Sequence, residues 1–151
     1  MINISPNSVL SKLPQGDFRS RCQALCEALR KSHPKYDWIG LYWVDGEHLF
    51  LGPWVGDQPT EHTRIPIAQG ICGAAVREEQ TIIVDDVHSD PRYLSCFMHT
   101  KSEIVVPIYA DGLIVGEIDI DGKNIADFDA SDQRCLEEIA QFIGREWPGR
   151  W

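Results

Sequence analysis

Between positions 17 and 32 apolar residues recur at spacings of three and four, so that Phe18, Cys22, Leu25, Cys26 and Leu29 line one face of a predicted helix. Pro34 stops it. The period then changes. Positions 38–44 read as a strand, Asp45 and Gly46 as a turn, and 48–55 as the second strand of a hairpin. A short extended piece covers 65–67, a glycine-flanked turn at Gly70 opens a short helix over 70–77, and 81–84 is extended again. A second hairpin joins 103–109 to 113–121 around Ala110-Asp111-Gly112, a strong turn signal. Asp129 or Ser131 caps the last helix, on which Leu136, Ile139, Ala140 and Ile143 share one face.

Short hairpin connections predict antiparallel pairing, and the helices from the two chain ends are expected to cover one side of the sheet. The fold class expected is α+β. At 151 residues, with no repeat, linker or low-complexity segment, the chain is expected to form one domain over 1–151. The polar stretch 85–102 is too long for a tight turn and carries Tyr93, Leu94 and Cys96, as functional loops often do.

Charge narrows the partners. With 14 Lys+Arg against 23 Asp+Glu, the net charge of -9 repels phosphate backbones and anionic lipid heads, so neither nucleic acid nor membrane is expected as a partner. Met1 to Leu10 lacks the basic start and apolar run of a secretory signal, and no apolar run approaches the roughly 18 residues of a membrane span. Five cysteines without a C-x-x-C pair, in a chain able to build its own core, do not read as a disulfide scaffold. A cytoplasmic protein is expected.

Cys22, Cys26 and Cys135 belong to amphipathic helices and read as structural, whereas Cys72 and Cys96 lie outside any periodic apolar face. Cys72 stands at a helix start, where free amides and the dipole favour a thiolate and lower its pKa, unless it only fills a crowded turn. Cys96, with His99 and Lys101 following, has the surroundings of a reactive thiol or is a loop cysteine without a role. Together the two suit a nucleophile and the second thiol that resolves its sulfenic acid.

Strand 113–121 carries Glu117, Asp119 and Asp121 on one face and Ile114, Gly116, Ile118 and Ile120 on the other. The acidic face is either solvated or, at Asp119 and Asp121 beside Glu103 on the neighbouring strand, a carboxylate cluster facing a pocket. In a pocket, mutual repulsion would raise at least one pKa, and the cluster would attract an ammonium group. Trp38 and Tyr42 share one side of their strand with Gly40 between them, as core aromatics or as a wall for a methyl-sulfur group. A zinc set drawn from Cys72, Cys96, His62 and His88 lacks paired ligand spacing, so no metal is expected.

From about Trp38 to the last helix the chain resembles the GAF-domain free methionine-R-sulfoxide reductases. The resemblance is carried by Trp38-Ile39-Gly40-Leu41-Tyr42, Leu51-Gly52-Pro53, Arg64-Ile65-Pro66, Gly70-Ile71-Cys72-Gly73, Asp85-Asp86-Val87-His88, Cys96, the 102–107 segment Ser-Glu-Ile-Val-Val-Pro, and the 116–121 segment Gly-Glu-Ile-Asp-Ile-Asp. It implies a GAF-like domain: a central antiparallel sheet with N- and C-terminal helices on one face and, on the other, a ligand pocket covered by loops and short helices. It also implies reduction of free methionine sulfoxide by Cys96, with Cys72 forming a disulfide to it, and with thioredoxin or a similar dithiol as reductant. By the same resemblance Glu103, Asp119 and Asp121 bind substrate and assist proton transfer, Trp38 and Tyr42 hold the methyl group, no cofactor is required, and the protein is a homodimer. Many relatives carry a further cysteine two residues before Arg-Ile-Pro, where this chain has His62. The alternative is a stand-alone GAF sensor of a small molecule or of redox state, without turnover.

Overall fold

The computed structural model describes residues 5–95 and 97–151. In chain order the elements are α1 (Pro6–Leu10), α2 (Phe18–Ser32), β1 (Trp38–Asp45), β2 (His48–Val55), β3 (Arg64–Pro66), α3 (Gly70–Glu78), β4 (Ile82–Val84), a single 3-10 turn Val87–Ser89, β5 (Ser102–Ala110), β6 (Leu113–Gly122) and α4 (Ala130–Glu146). The strands form one six-stranded sheet in the order β3-β2-β1-β6-β5-β4, antiparallel at every pairing.

Local chemistry accounts for the boundaries. Asp17 caps α2 by accepting the Ser20 amide at 2.8 Å. Of the two candidate caps for α4, Asp129 takes the position and builds a reciprocal box with Asp132. The β5–β6 turn places Asp111 at φ 51° and Gly112 at φ 79°, the left-handed pair that a two-residue hairpin loop requires.

Strand alternation then divides the interior into two layers. Ile39, Leu41 and Trp43 of β1, Ile104, Val106 and Ile108 of β5, and Ile118 and Ile120 of β6 point to the face covered by α2 and α4. Cys22, Cys26, Leu25 and Leu29 of α2 pack there with Leu136, Ile139 and Ile143 of α4. The helical cysteines are therefore structural: burial pushes the Cys22 thiol up to about 12, and raises Cys26 and Cys135 too. The opposite face carries Trp38, Tyr42 and Val105, packed against Ile71, Cys72, Ala74 and Ala75 of α3 and against Val87 and Phe97. This is the expected α+β architecture. Among the described residues no helix is long and apolar enough to cross a membrane.

Two features were not foreseen. Helix α1 is a single short turn led by Pro6, below the length at which apolar periodicity can be read. Within 85–102 the chain is not simply polar, since Val87, Phe97 and Thr100 are buried.

Candidate functional site

The site lies on the sheet face opposite α2 and α4, and the strand register assembles it in rows. Asp121 of β6 pairs with Trp38 on one side and Glu103 on the other. Asp119 pairs with Gly40 and Val105, and Glu117 with Tyr42 and Pro107. The acidic face of β6 therefore points inward, and the solvated alternative is excluded: Glu117 is fully buried, Asp119 and Asp121 are 2% exposed and Glu103 is 5% exposed. Glu117 is an addition to the residues singled out from the sequence. Its place in the Glu-x-Asp-x-Asp alternation was the available signal.

Among the described residues no lysine or arginine forms an ion pair with Glu117, Asp119 or Asp121. Burial dominates their electrostatics. It raises Glu117 well above the ordinary carboxylate range, with Asp119 adding repulsion, and raises Asp121 likewise, with Asp119 and Asp37 adding to it. Asp119 is also raised by burial, although contacts from Glu103 and Cys72 and the charge of His62 pull the other way. Among the described residues, both oxygens of Glu117, Asp119 Oδ1, Asp121 Oδ2 and Trp38 Nε1 have no hydrogen-bond partner. The Cys72 thiol therefore reaches Glu117 as a close neighbour, short of hydrogen-bond geometry.

Cys72 is the third residue of α3. Gly70 begins that helix at φ 73°, a left-handed conformation natural to glycine, and a Cβ there would stand 3.0 Å from Leu94 Cδ1. The loop thus packs directly over the helix start. The expected depression of the Cys72 pKa is corrected: burial raises it well above the ordinary thiol value, and Asp119, Glu117 and Glu103 raise it further. A helix terminus cannot outweigh full desolvation beside three carboxyl groups.

Trp38 folds over Gly40, where an added Cβ would overlap its ring, and stacks near Trp54 at 6.3 Å and Phe97 at 5.9 Å between centroids. Tyr42 is fully buried and donates its hydroxyl to the His62 carbonyl at 2.7 Å. The His62 ring in turn meets the Ser95 carbonyl at 3.1 Å. Cys96 itself lies outside the described residues, but both of its chain neighbours are bound to the site, Ser95 through His62 and Phe97 through Trp38. His88 stacks edge-on with Tyr93 and does not join the carboxylate cluster.

A site with these properties can hold a small molecule that is cationic at one point and apolar at another, beside a thiol. Comparison with known proteins agrees. The sequence profile of the GAF domain matches residues 17–147. The free methionine-R-sulfoxide reductase of Saccharomyces cerevisiae is 38% identical over 113 residues, covering 72% of this chain and 62% of the yeast protein. The solved type II free methionine-R-sulfoxide reductase from Thermoplasma acidophilum is 40% identical with a TM-score of 0.83, covering 85% of this chain and 91% of that one. The free methionine-R-sulfoxide reductase of Neisseria meningitidis, solved in complex with its substrate, is 32% identical with a TM-score of 0.83, covering 93% of this chain and 83% of that one. The chain belongs to the GAF domain family and, within it, to the group that contains the free methionine-R-sulfoxide reductases.

Proposed function

We propose that this chain reduces free L-methionine-R-sulfoxide to methionine, with 1–151 acting as one GAF domain. The observation that carries the reading is the row of buried carboxyl groups, several with unpartnered oxygens, beside Cys72 and under Trp38. An ammonium group supplies the missing positive charge to that row, and Trp38 and Tyr42 suit the methyl-sulfur end. Peptide-bound methionine sulfoxide has no free ammonium group there.

In this reading the Cys96 thiolate attacks the sulfoxide sulfur. Glu103 or Asp121, the latter favoured in the acid form by its burial, gives a proton to the departing oxygen. The oxygen leaves as water after taking a second proton, and a water molecule then attacks the Cys96 sulfur of the sulfonium adduct, so that methionine departs as the thioether with the electrons of the sulfur–sulfur bond, a proton is released, and Cys96 is left as a sulfenic acid. Cys72 then attacks that sulfur, the disulfide forms, and water leaves with the thiol proton. A thioredoxin-like dithiol exchanges with the disulfide and restores both thiols. The raised pKa of Cys72 supports its assignment to the second step, because a buried thiol is a poor first nucleophile. Family likeness supports a homodimer, and the cysteine usage supports a cytoplasmic setting.

The test is thioredoxin-coupled NADPH oxidation with free L-methionine-R-sulfoxide. Wild type should turn over, and Glu103→Gln and Asp121→Asn should each lose about 10²- to 10⁴-fold in kcat/KM, the usual contribution of a positioned acid. Unchanged kinetics in both variants would remove the carboxyls from the mechanism. Tight binding of methionine sulfoxide without turnover would place the protein among sensors.

A further inference from the structure

Cys72 Sγ, a Glu103 carboxylate oxygen and an Asp119 carboxylate oxygen all lie within 4.8 Å of one another. They arrive from three elements, α3, β5 and β6, so their convergence is a product of the tertiary fold and not of local spacing. Neither His62 nor His88 belongs to this group. A separate observation points to a cation as the ligand. Asp119 Oδ1 and both Glu117 oxygens, on the same face of β6, are buried without hydrogen-bond partners among the described residues.

The donor set discriminates between metals. One sulfur and two carboxylates match the borderline-soft character of zinc, which accepts four ligands in a tetrahedron and tolerates an open fourth position. Calcium and magnesium require six or more oxygens and disfavour sulfur. We propose that Cys72, Glu103 and Asp119 bind a divalent cation of the zinc class, with Glu117 alongside as an uncoordinated carboxylate that adds to the charge. Cys72 coordinates as the thiolate, and its proton leaves to solvent.

Such a site has a regulatory consequence. The metal would occupy the carboxylates assigned to the substrate ammonium group and would also tie up the second thiol. Metal and free amino-acid substrate would then exclude each other. The bound form would be inactive until chelation frees it.

The experiment needs no substrate, so its failure is distinct from failure of the proposed reaction. The reduced full chain, freed of metal by chelation, is titrated with cobalt(II). The expected result is a thiolate-to-cobalt charge-transfer band that saturates at one equivalent per chain and disappears when zinc is added. Cys72→Ser abolishes the band, and Cys96→Ser keeps it. Asp119→Asn and Glu103→Gln weaken cobalt binding by at least about 10-fold, and Glu117→Gln, which removes only a neighbouring carboxyl group, weakens it by less than either. Far-ultraviolet circular dichroism checks that each variant is folded. Absence of the band in wild type, its persistence in Cys72→Ser, or its loss in Cys96→Ser would overturn the proposal. If Cys72→Ser does not fold, wild-type cobalt affinity in both Asp119→Asn and Glu103→Gln overturns it instead.

Discussion

His62 Nε2 lies 3.1 Å from the Ser95 carbonyl oxygen. A carbonyl only accepts, so the ring must carry its proton on Nε2 and donate it. The His62 backbone carbonyl simultaneously accepts from Tyr42, so one residue joins the aromatic wall of the site to the segment leading into Cys96. Here the side chain serves as a tether.

His62→Ala should therefore loosen that segment while sparing the backbone bond to Tyr42. Limited proteolysis should cut faster between residues 86 and 101, and KM for methionine sulfoxide should rise more than kcat falls. A cleavage rate equal to wild type would show that the tether contributes nothing to loop order.

Gly40→Ala tests the aromatic wall. The new Cβ would overlap the Trp38 ring and stand 3.1 Å from Leu51 Cδ1. Overpacking of this kind costs about 1–3 kcal/mol. Urea unfolding should show that loss, and displacement of Trp38 should raise KM. Wild-type stability would mean the ring moves freely, contrary to its packing on Trp54 and Phe97.

Asp132 offers a pH test remote from the site. It accepts from Lys35 Nζ and from Tyr36 Oη, each at 2.6 Å, and it closes the α4 capping box. Burial opposes its charge, but these bonds prevail and hold its pKa below the ordinary aspartate value. A lowered folded-state pKa stabilises the fold above the unfolded value of about 4, and that stabilisation is lost as pH falls through the folded value. Asp132→Asn should cost about 2 kcal/mol at pH 7, the scale of hydrogen bonds to a charged group, and progressively less below about pH 4. A wild-type-minus-variant difference that does not shrink on acidification would contradict the assignment.

Much of this architecture was legible in the chain. Alternation placed Trp38 and Tyr42 on one side of β1 and the three acids on one side of β6, because side-chain direction in a strand follows from local geometry. Alternation cannot say which side is inside. Three acids on one face usually mean solvent, and only the cover provided by α3 and the 85–102 segment turns them inward. The same limit explains Cys72. Its position at a helix start is local and readable, whereas the burial that reverses its expected pKa is a tertiary effect, and the acids that add to it lie more than thirty positions away. Glu117 was visible in the alternation, but its contact with Cys72 exists only once α3 packs on β6.

The central claim is stereospecific reduction of the free amino acid by Cys96. The most direct measurement gives the protein racemic free L-methionine sulfoxide with a thioredoxin system and follows the two epimers by chiral separation. The account predicts that wild type consumes the R epimer and leaves the S epimer, and that Cys96→Ser consumes neither. Persistence of both epimers with wild type, or R-epimer loss that survives Cys96→Ser, would contradict it.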